Sequence, residues 1–306
     1  MNELISIIIP SFNEEKNIPL LLSELLALKE FKFEIIFVND GSGDRSLEVL
    51  REIASKYEEV KCLSFSRNFG HQNAIKAGLD YAVGDAVIMM DADLQHPPSL
   101  VPVLIKKWRE GSLIVSTIRI DNESISFFKK VTSKTFYFLI NKISRNSIHP
   151  ASADFRIIDR KVVDCLRGIR CETYFWRGLI PWTGFSTSTV EYQAQDRAYG
   201  ESQYTFKKMF KLAVSGVIST SNFPLYLSIW LGFFMSGLSF LYGLYAVVIK
   251  VFFEEAVSGW TSIVFSIVLI GGIQLIILGI IGFYLAQVFE RSKRTPNYIV
   301  EEKINF

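Results

Sequence analysis

Cysteine is scarce, with Cys62, Cys165 and Cys171 the only three in a chain of 306 residues. Their odd number, and the lack of any Cys-x-x-Cys pair, argue against a disulfide framework or a thiolate zinc site. Histidine is equally rare. His71, His96 and His149 have no partner at metal-ligand spacing and read as satisfied loop histidines. No charge excess exists either, since 33 Lys plus Arg face 31 Asp plus Glu without a long basic run, so nucleic acid is not an expected partner. The opening Met1-Asn2-Glu3-Leu4 lacks a basic region and its apolar run stops at Pro10, unlike a secretory signal. The N-terminal domain is therefore expected in the cytoplasm. Internal repeats and low-complexity tracts are not evident.

What the chain has in abundance is apolar surface. Hydrophobic residues make up 49% and mean hydropathy is +0.26, with the excess gathered in the last third. Phe223 to Ile249 and Ala256 to Phe289 each exceed the roughly 20 residues that cross a bilayer core as a helix. The link between them carries Glu254 and Glu255, whereas Lys207, Lys208, Lys211, Arg291, Lys293 and Arg294 flank the pair. The positive-inside rule then predicts two transmembrane helices with both flanks cytoplasmic. The expected organisation is an N-terminal cytoplasmic domain over 1–220, a two-helix membrane domain over 221–290, and a cytoplasmic tail over 291–306.

From Ser6 to Thr117 strand-length apolar runs alternate with helical patterns. Strands are expected at Ile5 to Ile9, Phe33 to Val38, Val60 to Phe65, Asp85 to Met90 and Leu113 to Ser116. Helices are expected around Asn17 to Leu28, Arg45 to Tyr57, Gln72 to Ala82 and Leu100 to Glu110. This alternation predicts an α/β fold with a mostly parallel, Rossmann-like sheet, whose ligands sit beyond the carboxyl ends of the strands. Two further segments, about 125–143 and 204–219, place apolar residues at helical spacing beside lysines, as interfacial amphipathic helices do. Packing onto the domain is the alternative for both.

Polar clusters fall at the expected strand ends. Asp91-Ala92-Asp93 follows a five-residue apolar run, and two carboxylates so close call for a hard cation such as Mg²⁺ or Mn²⁺ that also touches a diphosphate. Asp40 at its strand end can accept from a uracil imide or ribose hydroxyls, although Asp40-Gly41-Ser42-Gly43 also fits an ordinary helix-capping turn.

Four motifs in order then carry a resemblance: Ile8-Ile9-Pro10-Ser11-Phe12-Asn13-Glu14-Glu15, Val38-Asn39-Asp40-Gly41-Ser42, Ser66-Arg67-Asn68-Phe69-Gly70-His71-Gln72, and Met90-Asp91-Ala92-Asp93-Leu94-Gln95-His96-Pro97-Pro98. Together they resemble the family 2 glycosyltransferases of GT-A fold. Within these the resemblance is strongest to the polyprenyl-phosphate glycosyltransferases, the group that includes dolichol-phosphate mannose synthase and bacterial undecaprenyl-phosphate glucosyltransferases. Arg197-Ala198-Tyr199-Gly200-Glu201-Ser202-Gln203-Tyr204 and the two apolar spans extend it over nearly the whole chain.

The resemblance implies roles. Pro10, Asn13, Glu14, Asp40, Lys76 and Asp91 would bind the nucleotide-sugar, and Asp91, Asp93 and Gln95 would hold Mg²⁺ or Mn²⁺. Asp93, Asp154 and Arg197 would be catalytic, with Asp154 orienting the acceptor as much as acting as a base, because a lipid monophosphate is already largely ionised at neutral pH. Asp154 also has a purely structural alternative, an ion pair with Arg156. Arg119, Ser202, Tyr204 and Lys207 would meet the acceptor phosphate. The implied reaction is inverting transfer from a UDP-sugar, most simply UDP-glucose, to polyprenyl (undecaprenyl) phosphate at a cell membrane. Homo-oligomerisation stays open. A processive polysaccharide synthase is disfavoured because Phe175-Trp176-Arg177-Gly178 is not its Gln-x-x-Arg-Trp motif. A silent binding partner is disfavoured by the intact donor loops.

Overall fold

The computed structural model describes residues 3–120, 152–169, 171, 174–193, 223–253, 259–292 and 295–306. The chain divides into two compact units, one of Met1–Phe206 with Thr295–Phe306, the other of Lys207–Arg294.

The first unit is built on one mixed sheet. Its elements run β1 (Leu4–Ser11), α1 (Asn17–Leu26), β2 (Lys32–Asn39), α2 (Ser46–Lys56), β3 (Val60–Phe65), α3 (His71–Tyr81), β4 (Ala86–Met89), α4 (Val101–Arg109), β5 (Ile114–Ile120), β6 (Ser152–Asp159), α5 (Arg160–Arg167), α6 (Trp176–Trp182), β7 (Thr187–Gln193) and finally β8 (Val300–Ile304). The strand order is β7-β5-β6-β4-β1-β2-β3-β8. Strands β4, β1, β2 and β3 are mutually parallel, β6 is antiparallel to β4 and β5, and β8 is antiparallel to β3.

Sequence explains why the central strands lie where they do. Ile7 and Ile9 join one buried cluster with Ile18, Leu21, Leu25, Leu50, Val101 and Leu104 of α1, α2 and α4. Ile8, of opposite parity, joins a second with Ile75, Leu79, Val162, Val163, Trp176 and Ile180 of α3, α5 and α6. A strand covered on both faces has no use for polar alternation, which is why β1 is apolar on both faces at Ile5, Ile7, Ile8 and Ile9, with buried Ser6 satisfied by Glu34. The nine expected strands and helices up to Thr117 are all present, with boundary shifts such as β5 extending to Ile120. The strand order reverses at β1, which has β2 on one side and β4 on the other. That reversal opens a crevice beyond the strand ends, the usual ligand position in such sheets.

β8 is an addition to the sequence reading, which assigned its residues to a tail. Arg51 grips Glu302 of β8 through two bonds of 3.0 and 2.6 Å, and Asn305 donates to the carbonyls of Ala54 and Val60. Residues Val300–Ile304 thus belong to the eight-stranded sheet.

The second unit contains α7 (Phe223–Phe253) and α8 (Trp260–Ser292). Within α8, Leu269–Ala286 has a mean hydropathy of 2.2 and none of it is buried. Among the described residues it is the one helical window long and apolar enough to cross a membrane, while α7 holds the shorter apolar stretch Trp230–Tyr245. Exposed apolar surface of this extent marks an interaction surface for protein or membrane. Both expected amphipathic segments lie outside the described residues.

Candidate active site

The first wall of the crevice is made by loops after β1, β2 and β3, stitched to one another. Asn13 adopts a left-handed backbone (φ 58°), and from there its N–H donates to Ser42 Oγ while its Oδ1 accepts from the Gly43 N–H at 2.9 Å. Asparagine tolerates this conformation better than most residues. The Glu14 N–H donates to Ser46 Oγ, the Arg45 N–H to Glu15 Oε2, and the Glu14 carboxylate accepts from Asn17 at 2.5 Å. The loop after β1 is thereby fixed against the start of α2.

Asp40 braces the next pair of loops. It is buried, and its carboxylate accepts from the N–H groups of Phe69 (2.7 Å) and Gly70 (2.9 Å). Burial pushes its carboxyl above the ordinary value, against the pull of those two amides. Gly41 beside it has φ +64°, and a Cβ there would stand 2.4 Å from the Arg67 carbonyl carbon. Only glycine allows the loop after β2 to lie this close to the loop after β3.

The second wall carries the paired carboxylates. Asp91 and Asp93 leave the end of β4, and the chain turns at Leu94 (φ 61°), where the Gln95 N–H donates to Asp93 Oδ1. Asp91 is not isolated. His71, first residue of α3, places Nε2 2.7 Å from Asp91 Oδ1, and the Asp91 N–H donates to His96 Nδ1 at 3.0 Å. His96 is buried and stacked on Phe155. Burial acts against ionisation of both His71 and Asp91, but their mutual attraction outweighs it. His71 is raised to about 9 and Asp91 is held well below the usual carboxylate range. Gln72 Nε2 lies 3.3 Å from His71 Nδ1, a long contact that is weaker than the Asp91 pair. His96 is thus a satisfied loop histidine, as expected, while His71 belongs to the first turn of α3, and both meet Asp91.

A third group comes from β6 and α6. Asp154 is buried, and Arg177 binds it bidentately, Nε to Oδ1 at 3.0 Å and Nη2 to Oδ2 at 2.9 Å. Fully buried Arg156 stands behind, 3.7 Å from Oδ1. Burial works against the Asp154 carboxylate, yet Arg177 first and Arg156 second hold its pKa below the ordinary value. The expected structural partner, Arg156, is thus the minor one. Trp176 explains how Arg177 arrives: it is fully buried, and its Nε1 donates to the Gln72 carbonyl at 2.9 Å. One residue anchors α6 next to His71 and the following residue reaches Asp154. Asp154 and Arg177 both influence His71 electrostatically, so the two carboxylate groups share one field.

Not every expected residue joins this cluster. Lys76 lies farther along α3, buried, with its ammonium on Asp80 and 3.4 Å from the Arg167 carbonyl. The structure gives it an i,i+4 ion pair and does not bring it to the strand ends. Arg119 belongs to β5, where its backbone is in register with Tyr192. Pro10 is the penultimate residue of β1, in register with Val38. Arg197, Ser202, Tyr204 and Lys207 lie outside the described residues. Cys62 is buried, and burial pushes its thiol up to about 12; Cys165 is exposed, and all three cysteines are free.

The model of the Glycosyl transferase family 2 matches residues 6–167, the stretch that holds these strand-end loops and carboxylates. The chain belongs to this family. The fold is also that of solved glycosyltransferases: glucosyl-3-phosphoglycerate synthase from Mycobacterium tuberculosis, in complex with Mn²⁺, uridine diphosphate and phosphoglyceric acid, has a TM-score of 0.55 at 18% identity, covering 71% of this chain and 78% of that one. Full-length relatives are nearer in sequence. The uncharacterized glycosyltransferase YkcC of Bacillus subtilis is 42% identical over 97% of this chain and 93% of its own. The bactoprenol glucosyl transferase of Shigella phage SfV is 38% identical over 98% of each. This family 2 member is a glycosyltransferase with a GT-A-like α/β domain.

The residues present fit a divalent metal. No group of three or more His, Cys, Asp or Glu side chains gathers around one point among the described residues. Magnesium-type sites seldom need one, because one or two carboxylates and substrate phosphate oxygens share the ion. Asp91 and Asp93 supply that number.

Proposed function

We propose that the enzyme transfers a glucosyl group from UDP-glucose to a polyprenyl phosphate at the cytoplasmic face of a membrane. The observation that carries this reading is the 38% identity to a bactoprenol glucosyl transferase across 98% of both chains, the apolar helices included. A likeness confined to the donor domain would speak only for the donor.

Asp91 and Asp93, assisted by Gln95, would hold Mg²⁺ or Mn²⁺, which when bound neutralises charge on the donor diphosphate. The loops carrying Pro10, Asn13, Glu14 and Asp40 form the wall for the base and ribose, already fixed by their cross-links. An oxygen of the lipid phosphate attacks the anomeric carbon, the bond from that carbon to the diphosphate oxygen breaks, and the nucleoside diphosphate leaves with the electron pair. The anomeric centre inverts. No proton needs to be removed from an acceptor that is already an anion, which suits the Asp154 environment. Clamped by Arg177 and kept ionised, Asp154 is a poor proton acceptor and a good positioner of a guanidinium. The acceptor phosphate would meet Arg119 and the segment with Arg197, Ser202, Tyr204 and Lys207.

Chain connectivity supports two membrane crossings. The sheet contains residues from both sides of Lys207–Arg294, since β8 follows α8 and pairs with β3. A segment that leaves a domain and returns to it crosses a bilayer an even number of times. If α8 spans, a second crossing is required, and the 31-residue α7 is the element to supply it.

The test is to incubate the purified full-length protein with undecaprenyl phosphate and a panel of UDP-, GDP- and dTDP-sugars, and to identify the lipid product by mass. A hexose-phosphate lipid formed from UDP-glucose is expected. Free sugar alone, with the lipid unchanged for every donor, would remove the acceptor from the proposal.

A further inference from the structure

Three consecutive residues after the apolar unit touch both arms of the site. Asn297 Nδ2 donates to the Cys171 carbonyl at 2.7 Å, in the segment that leads to α6. Tyr298 stacks on Phe65 at the end of β3 (centroids 5.2 Å apart, planes 17° apart) and donates its hydroxyl to Asp80 at 2.8 Å. The Ile299 carbonyl accepts from the Ser66 N–H at 3.2 Å. Phe65 in turn meets Phe69 edge to face at 5.7 Å, and the Phe69 N–H is one of the two that fix Asp40. The loop from Ser66 to Gly70 is therefore strung between Asp40 at one end and Tyr298 with Ile299 at the other. On the far side, Cys171, Tyr298 and Phe69 pack against the buried cluster that contains Trp176, the anchor of Arg177.

We propose that Asn297, Tyr298 and Ile299 form a positioning strut, by which the chain segment that follows the apolar helices sets the geometry of the donor loop and of Arg177. Tyr298 acts through Phe65 and Phe69. Its polar anchor is itself held, because Asp80 also receives the Lys76 ammonium. This gives Lys76 a role at one remove from the strand-end loops. An aromatic row of this kind transmits a displacement well, since close-packed rings do not compress and a shift of about 1 Å at a reacting group can cost roughly 100-fold in rate.

The test compares both ends of the same tail in the full-length protein. Tyr298→Ala removes the stack and the hydroxyl, Tyr298→Phe removes the hydroxyl alone, and Asn305→Ala removes an anchor at the opposite end of β8. Thermal denaturation gives the folded fraction of each. Per folded molecule, Tyr298→Ala is expected to lose roughly 10-fold or more in kcat, Tyr298→Phe to recover most of it, and Asn305→Ala to stay within about twofold of the parent. Equal turnover per folded molecule in Tyr298→Ala and Asn305→Ala would reduce the tail to a stabilising strand and overturn the strut.

The turnover arm rests on the lipid-phosphate reading; a second arm does not. Binding of UDP with Mn²⁺, measured by calorimetry, should weaken several-fold in Tyr298→Ala and stay unchanged in Asn305→Ala. If the parent binds UDP but transfers nothing to the lipid, the proposed acceptor fails while the binding comparison still decides on the strut. Unchanged UDP affinity in Tyr298→Ala overturns the strut's hold on the donor loop.

Discussion

Arg177 holds Asp154 by two parallel bonds, 3.0 and 2.9 Å, across 23 residues of sequence. A carboxylate gripped this way is fixed in charge and orientation, and the guanidinium is fixed with it.

Removing either partner should hurt, and removing both should hurt little more. Arg177→Ala leaves a buried carboxylate with Arg156, 3.7 Å away, as its remaining ion-pair partner among the described residues. With Arg177 itself 40% exposed, we expect a loss of about 2 kcal/mol in stability, between the values for exposed and buried pairs. Transfer should fall by roughly 100-fold. The Asp154→Asn, Arg177→Ala double variant should be strongly non-additive, as steady-state rates and urea unfolding would show. Additive losses would mean the two residues act separately. Because Asp154 is held below the usual carboxylate range, Asp154→Asn should lower the rate evenly between about pH 5 and 8 without removing an acidic limb from the profile.

Asp93 offers a test of the metal. Chelation should abolish transfer, added Mn²⁺ or Mg²⁺ should restore it, and Asp93→Asn should reduce the rate by at least about 100-fold while raising the metal concentration needed for half-maximal activity. Full turnover in excess chelator would contradict this. Calorimetric titration with UDP, with and without the ion, gives the same answer independently of the acceptor.

A second carboxylate sets acid stability. Glu34 is buried and accepts from Ser6 Oγ (2.5 Å), Lys61 Nζ (2.8 Å) and the Val83 N–H (2.9 Å). Burial alone would raise its pKa, but Lys61, Ser6 and Val83 together lower it. A folded-state pKa below the unfolded one contributes stability that is complete above the unfolded value, about 4.3, and fades as pH falls through the folded value. Urea midpoints between pH 3 and 7 should therefore fall less steeply on the acid side for Glu34→Gln than for the parent, from a lower plateau at neutral pH.

Sheet connectivity makes a topological prediction. Tags before β1 and after β8 should be reached by impermeant reagents from the same side of a sealed vesicle, whereas a single cysteine at position 256, in a cysteine-free background, should be reached from the other. Labelling of position 256 from the tagged side would leave α7 and α8 without a pair of crossings.

The parallel half of the fold was legible because buried strands covered on both faces are written as apolar runs, and each run ends in a polar cluster. Asp91, Asp93, Asp40 and Asn13 could be located for that reason. β8 could not, since Val300-Glu301-Glu302-Lys303-Ile304 is an edge strand whose charges defend it against pairing with other chains and disguise it as a tail. Arg177 was hidden by distance in sequence, although the bulky Trp176 beside it signals a buried anchor. Lys76, assigned to the donor by resemblance alone, has Asp80 four residues on, an intrahelical partner that the sequence spacing already displays. His71 and His96 were read as satisfied loop histidines, without a partner named. Their partner turned out to be a carboxylate of the motif itself, a relation that sequence spacing does not display.

β8 is made by the ribosome only after α7 and α8 have emerged. The eight-stranded form of the sheet, with Tyr298 seated against Phe65, thus cannot exist in a nascent chain that has not yet produced both apolar helices. Order of synthesis alone places completion of the catalytic domain after the membrane segment, so a chain cut short before its helices is missing a strand of its own sheet.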